Sequence, residues 1–405
     1  MTEGFLPGNL TKFPHAPRWQ FAVASGILGW VLDAYFFFIL IFLLDTLAAR
    51  FGVSKAAIVW SITVTLVTRP LGALVLGALA DRYGRRGPLV ACVLFFSIVS
   101  AMTPFAPSYR AFLLLRALYG VGMGGYWGIG ASLVIESSPA RLRGLFSGIL
   151  QAGYSVGYLL AAAAMPVIVP RFGWQWIFLG GLLLAVPIVL LAWLAPEPEA
   201  WSSNRPADFG AVARALWDHK TVFLYLVALM TAITCFSHGS QDLYPDFLRA
   251  VRGFSALATS NLAILYNVGA ILGALAIGHL SQKIGRRASI LVALGIALTA
   301  VQPWAFGGSV AALAVGAFVM QFGVQGVFGV IPAHLNELAP PAVRSLFPGV
   351  VYQLGMLIGA PSVGIEFALR RSFGYSWALA AFEIASIGAL VALCAFGPEK
   401  RNRDL

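Results

Sequence analysis

Residues 237–245 read Ser-His-Gly-Ser-Gln-Asp-Leu-Tyr-Pro, inside a stretch from Thr221 to Leu248 that is otherwise apolar. Charged groups are expensive in such a setting, at about 2.5–3.5 kcal/mol each at a helix centre on insertion scales. They are kept for substrate, protons or partners more often than for packing. On a helix, Thr234, His238 and Asp242 lie four apart and share one face, with Gln241 beside them. Imidazole exchanges a proton near neutral pH, and a carboxylate is tuned by burial and by nearby cations. His238 and Asp242 are therefore candidates for proton coupling, and His238 and Gln241 for substrate binding. The structural alternative is that His238 and Asp242 bond only each other.

Arg69 sits near the middle of a second apolar stretch, in Thr-Arg-Pro-Leu-Gly-Ala. A permanent cation there needs a partner, and its planar fork suits a carboxylate. Asp33, midway along the first apolar stretch, is the competing partner and a further proton-coupling candidate. Arg116 opens Arg-Ala-Leu-Tyr-Gly-Val-Gly-Met-Gly-Gly, where the glycines permit close helix contact. It is a third candidate for substrate, with a structural pairing as the alternative. Gln151, Tyr154 and Tyr158 on one segment, with Tyr352 and Gln353 on another, offer donors that orient a small polar acid. Among them Tyr154 and Gln353 are taken as substrate-binding. Glu136 and Glu337, near Arg143 and Arg344, read as structural and gating charges, whereas Glu366 and Glu383 have no assigned role.

These residues must be carried by membrane helices. The chain is 59% hydrophobic and 11% charged, against about 45–50% and 25% in soluble proteins. Segments near 20–47, 57–80, 88–105, 109–135, 144–168, 173–195, 221–247, 256–280, 288–306, 309–335, 345–369 and 374–396 are each long enough to cross a bilayer. Residues 1–19 are polar and contain Pro7, Pro14 and Pro17, which does not resemble a cleavable leader. The net charge of +11 does not point to nucleic acid. Of 27 Lys and Arg, 17 fall in the N-terminus, the even-numbered loops and the C-terminus, eight in the opposite loops and two inside spans. That bias places both termini in the cytoplasm, in an inner or plasma membrane. Cys92, Cys235 and Cys394 are isolated within apolar spans, so neither a disulfide framework nor a metal site is expected. No cofactor is implied, and no Gly-x-x-x-x-Gly-Lys-Ser/Thr loop for ATP occurs.

The chain repeats itself. Gly77, Asp81, Arg82, Gly84, Arg85 and Arg86 recur as Gly278, Gln282, Lys283, Gly285, Arg286 and Arg287. Gly128, Glu136, Pro139, Arg143, Phe146 and Gly148 recur as Gly329, Glu337, Pro340, Arg344, Phe347 and Gly349, every pair 201 positions apart. A register held over five spans predicts two parallel six-helix halves. The division is 1–195, a cytoplasmic linker at 196–220, and 221–405. The fold class is an all-α membrane protein of twelve helices in two pseudo-symmetric bundles.

Two such halves, with Gly-x-x-x-Asp-Arg-x-Gly-Arg-Arg after the second helix, resemble the major facilitator superfamily over nearly the whole chain. That resemblance implies a central cavity opening alternately to each side. It also implies that Asp81, Arg82 and Arg85 latch the halves on the cytoplasmic side, with Gly77, Gly84 and Arg86 as part of the same gating motif. Within the superfamily, Ser237, His238, Ser240, Gln241 and Asp242 resemble the lactate/pyruvate:proton symporter signature Asn-x-x-Ser/Thr-His-x-Ser/Thr-Gln-Asp-x-x-x-Thr, close to the sialate:proton symporters. Thr234 and Asp246 depart from its ends. The Arg-Pro-x-Gly-Ala around Arg69 and the Tyr-Gln-Leu-Gly around Gln353 are similar to stretches tied to the substrate in that branch. Arg116 resembles a fourth-helix arginine linked to proton coupling. Phe36 stands where the branch has a second helix-1 aspartate, which leaves Asp33, His238 or Asp242 to carry the proton. The expected function is proton-coupled symport of a small monocarboxylate, lactate- or pyruvate-like, by a monomer and not an enzyme. Uptake of sialic acid or an aromatic acid is the alternative. A non-transporting nutrient sensor is disfavoured by the short ends.

Overall fold

The computed structural model describes residues 19–400, and these are helical throughout apart from turns and loops. The first half comprises α1 (Trp19–Phe42), α2 (Leu44–Phe51), α3 (Lys55–Tyr83), α4 (Arg86–Ala101), α5 (Tyr109–Ser137), α6 (Arg143–Phe172) and α7 (Gln175–Leu194). Two short helices, α8 (Glu199–Asn204) and α9 (Phe209–Asp218), follow in the polar segment. The second half comprises α10 (Lys220–Gln241), α11 (Tyr244–Ala250), α12 (Ala256–Ile284), α13 (Arg286–Phe306), α14 (Val310–Leu338), α15 (Leu346–Gly359), α16 (Ser362–Phe373) and α17 (Tyr375–Phe396). Twelve stretches are long and apolar enough to span a membrane among the described residues. Helices are the form such sequences take because lipid offers no partner for a backbone N–H or C=O. The expectations for the chain ends concern residues 1–18 and 401–405, which lie outside the described residues.

The spans expected at 20–47 and 88–105 are interrupted at Leu43 and Met102, and two later ones break beside prolines. The span expected at 221–247 ends as α10 at Gln241 and resumes as α11, with Pro245 in its first turn. The span expected at 345–369 divides between α15 and α16 at Ala360 and Pro361. Proline lacks the N–H that a continuous helix uses, so both breaks have a local cause.

The 201-residue register extends to details of local structure. Ser54 and Ser108 cap α3 and α5 by accepting the N–H of Ala57 and Ala111. Ser255 and Ser309 do the same for Ala258 and Ala312 at α12 and α14. Gly84 and Gly285 have φ of 118° and 99°, which a side chain would strain. Arg85 Nε and Nη2 grip Glu136 at 3.1 Å, and Arg286 Nε and Nη2 grip Glu337 at 2.9 and 2.6 Å. The loop arginines thus hold both glutamates, and the expected neighbour Arg344 reaches Glu136 from the other half. Arg344 stands 3.9 Å from Glu136.

The halves meet on the side that carries α8 and α9. There, buried Asp81 accepts the N–H of Ser345 at 2.9 Å and of Leu346 at 3.0 Å, at the positive end of α15. Arg85 Nη1 donates to the same carboxylate at 2.6 Å. A Cβ on Gly77 would come 2.7 Å from Leu346 Cα, so the glycine lets α3 lie against α15. The repeat supplies a weaker counterpart, in which the uncharged Gln282 Oε1 accepts the N–H of Gly144 at 3.1 Å. Only Asp81 of the three expected latch residues reaches across. Arg85 stays within its half, and the Arg82 guanidinium lies 5.5 Å over the Tyr83 ring. Arg86 lies over Trp193 at 4.8 Å.

Asp81→Asn removes a charge-assisted contact worth about 1.5–3 kcal/mol, and so disfavours this closed arrangement by about ten- to a hundredfold. With the native cysteines replaced, spin labels at the exposed Tyr83 and Ile284 are expected to move apart in that variant. Unchanged label distances would contradict the assignment.

Candidate functional site

Beneath the open ends of the helices, on the side away from α8 and α9, the halves enclose a cavity of about 550 Å³. Arg69 lines it from α3, and His238, Gln241 and Asp242 line it from the end of α10. Gln151 and Tyr154 come from α6, and Tyr352 and Gln353 from α15. These eight candidates, separated by up to 284 positions (Arg69 to Gln353), thus share one space.

Arg69 is 3% exposed, and no hydrogen bond or ion pair holds its guanidinium among the described residues. Its position follows from backbone packing. A side chain on Gly124 would run into the Arg69 carbonyl, so α3 lies directly against α5 with its Arg69 face towards the cavity. The expected ion pair with Asp33 is absent. Asp33 is fully buried outside the cavity wall, where Tyr119 donates to its Oδ1 at 3.0 Å and its Oδ2 has no partner. The phenol engages one carboxylate oxygen, and no ion pair draws the arginine away from the cavity.

The second helix face is only partly as expected. His238 Nδ1 and Asp242 Oδ2 are 2.7 Å apart and both face the cavity, so mutual bonding and cavity lining hold together. Thr234 is sealed off instead, donating to the Met230 carbonyl at 2.7 Å and contacting the Met356 sulfur. Gln241 Nε2 donates to Ser237 Oγ at 3.3 Å. Gln353 Nε2 is 3.4 Å from the Gly124 carbonyl, with its Oε1 unpartnered.

Arg116 is not part of this site. It is 1% exposed, lies 4.7 Å over the Tyr119 ring and donates to Thr103 Oγ1 at 3.1 Å. Its helix turns it into the first bundle, where the ring and hydroxyl replace an anion. The sequence reading also missed contributors. Tyr266 and Asn267 on α12 and Gln321 and Gln325 on α14 line the cavity. The two glutamines, four apart in a span, were a helix-face signal of the same kind as His238 and Asp242. Trp30, Phe38, Tyr154 and Tyr158 form an aromatic wall, with Trp30 and Tyr154 stacked at 5.5 Å and Phe38 edge-on to Tyr158 at 4.9 Å.

The arrangement presents groups able to hold an anion. It offers one free cation, a His–Asp pair and amides around aromatic faces, and no metal-holding group occurs among the described residues. Residues 26–361 match the family described as Major Facilitator Superfamily. The chain belongs to the Major Facilitator Superfamily. It is a membrane transporter and not an enzyme. A carboxylic acid transporter protein homolog from Saccharomyces cerevisiae is 29% identical, covering 94% of this chain and 68% of the yeast protein. The sialic acid transporter NanX from Escherichia coli is 25% identical, covering 94% of each. Among solved structures, the proton:xylose symporter XylE superposes with a TM-score of 0.76 at 17% identity, over 95% of this chain and 97% of that one, a likeness of fold.

Arg116→Met removes a buried hydrogen bond and a ring contact, a cost of about 1–3 kcal/mol. The expected result is a lower melting temperature in detergent with unchanged substrate affinity. Weaker binding at an unchanged melting temperature would return Arg116 to the site.

Proposed function

We propose that this transporter carries an organic monocarboxylate together with a proton, by alternating access. The observation that carries this reading is Arg69, a nearly buried cation that faces the cavity with no hydrogen-bond or ion-pair partner among the described residues. A desolvated guanidinium attracts a carboxylate through two parallel charge-assisted hydrogen bonds. His238, Gln241 and Gln353, opposite Arg69 and from the other half, hold the rest of the acid. A ligand bridging both halves draws them together, which is the step alternating access needs. Tyr154 supplies an edge and a hydroxyl to the same volume.

Proton coupling rests on the His238–Asp242 pair, with Asp33 behind Arg69 as a second acceptor. Proton and substrate couple only where both favour the same conformation. The basic loops place the α8–α9 side in the cytoplasm. The described conformation is then closed to the cytoplasm by Asp81 and the glycine contacts, with its cavity towards the outside, and the carrier works as a monomer. The signature at Ser237–Asp242 and the relationship to a carboxylic acid transporter homolog support a small acid such as lactate or pyruvate.

A second reading has its own support. The volume of about 550 Å³ and the wall of Trp30, Phe38, Tyr154 and Tyr158 accommodate a larger acid, either sialic or aromatic. The relationship to a sialic acid transporter points the same way.

Purified protein in liposomes, given an inward proton gradient, is expected to accumulate labelled lactate. Competition by pyruvate, benzoate and sialic acid ranks the two readings, and strong inhibition by benzoate or sialic acid with no lactate accumulation selects the second. Arg69→Gln is expected to weaken acid binding by at least about thirtyfold, the lower end for removing one partner of a desolvated charge pair. Its melting temperature should be retained. Unaltered binding in that variant would refute the Arg69 assignment for either acid.

A further inference from the structure

Glu366 on α16 and Glu383 on α17 take no part in the site described above. Both are 0% exposed, and none of their four carboxyl oxygens has a hydrogen-bond partner. Neither belongs to an ion pair among the described residues. An uncompensated carboxylate in such surroundings costs several kcal/mol, so a charge there must be neutralised by something that arrives.

Their surroundings suggest what arrives. Both helices pack against α10, the helix that ends in Ser237–Gln241. A Cβ on Gly239, the residue after His238, would collide with Glu383 Oε1 and the Phe382 ring. The missing side chain leaves space for a carboxyl directly behind the cavity-lining face. Glu366 lies within Coulombic reach of Asp242, and Glu383 within reach of Glu366. The three acids are thus electrostatic neighbours in succession, Asp242 to Glu366 and Glu366 to Glu383, with Glu383 packed against Gly239 of the cavity helix. The helix α10 ends at Gln241, immediately before Asp242, and α15 ends at Gly359, just before the turn into the helix that carries Glu366.

Nearby cations are engaged elsewhere. Arg370 donates to Asp246 at 3.2 Å, an acid that also accepts from Tyr375 at 2.8 Å. Arg252 donates to the Ala305 carbonyl at 2.9 Å. The remaining titratable neighbours are Cys235, near Glu383, and the His238–Asp242 pair. The charged residues of α13, which packs on α17, are Arg286 and Arg287 at its opposite end. No group of three ligating side chains that would hold a metal occurs among the described residues.

We propose that Glu366 and Glu383 form a further proton-binding site of this carrier, filled from the cavity by way of Asp242. In the transfer, the Asp242 carboxyl gives its proton to the Glu366 carboxylate, leaving Asp242 ionised and Glu366 neutral, with no change of oxidation state. This second store supplies in the C-terminal half an acid function that Phe36 does not supply in α1. The proposal rests on the proton-coupled reading above, and its first test does not need a substrate.

Infrared difference spectra of the purified full-length protein, labelled with carbon-13 glutamate, are recorded during a pH titration in lipid. The expected result is a protonated glutamate carbonyl band that disappears as pH rises and weakens in Glu366→Gln and in Glu383→Gln. In liposomes each variant should lose about tenfold of gradient-driven accumulation while substrate counterflow persists, as for a coupling step removed without the binding site. Absence of the band in the wild type, or an identical band in both variants, overturns the proposal. So does a response to sodium at fixed pH without a proton band, which would make the pair a cation site. Should a glutamine variant misfold, the wild-type titration still decides. Should the chain move no organic acid, the titration still reports on the pair.

Discussion

A guanidinium inside a membrane bundle must be met by an anion, by water or by both, and among the described residues no carboxylate forms an ion pair with Arg69. Asp33 is near enough in sequence depth to be the counter-ion, but Tyr119 engages it instead. The close approach of α3 and α5 at Gly124 commits the Arg69 backbone, and hence its side chain, to the cavity. In the proposed reading, this one charge sets the sign of the substrate, the need for an aqueous vestibule and the side from which the anion is approached.

The two halves contribute unlike chemistry to that vestibule. The first brings the cation and the aromatic wall, and the second brings the imidazole, the carboxylate and most of the amides. A bound acid would touch both, so its binding energy acts on the relative position of the bundles. Against it stands the contact of Asp81 with the first turn of α15, which holds the opposite side shut. Transport needs these two interactions to be comparable in strength, because neither state can be so stable that the other is never visited. The unpartnered glutamates lie behind the helix that supplies the imidazole, so their charge state bears on the same moving element.

Much of the architecture was legible in the residues alone. Twelve apolar stretches and a fixed repeat of 201 positions define twelve spans and two related bundles. The repeat is legible because backbone hydrogen bonding in lipid permits only helices, and helices of equal pattern pack alike. The site was legible where polar residues interrupt such stretches, as at His238, Gln241, Asp242 and Arg69. Residue type did not separate Arg69 from Arg116, since both are arginines in apolar spans beside glycines. Thr234 shared a helix face with His238, yet the neighbouring Met356 covers it. Tyr266 escaped notice because one tyrosine in a span is not costly enough to stand out.

The sequence by itself determined the membrane class, the number of spans, the paired halves and the stock of polar groups available at depth. These depend on transfer cost and periodicity, which are properties of each segment alone. Tertiary structure decided which arginine meets the cavity, that Asp33 is bound to a tyrosine, that of the loop residues Asp81, Arg82 and Arg85 only Asp81 crosses between the bundles, and that two glutamates stand without hydrogen-bond partners among the described residues. Those outcomes depend on helix rotation and close contact, which glycines and aromatic neighbours from distant segments impose and no single segment encodes.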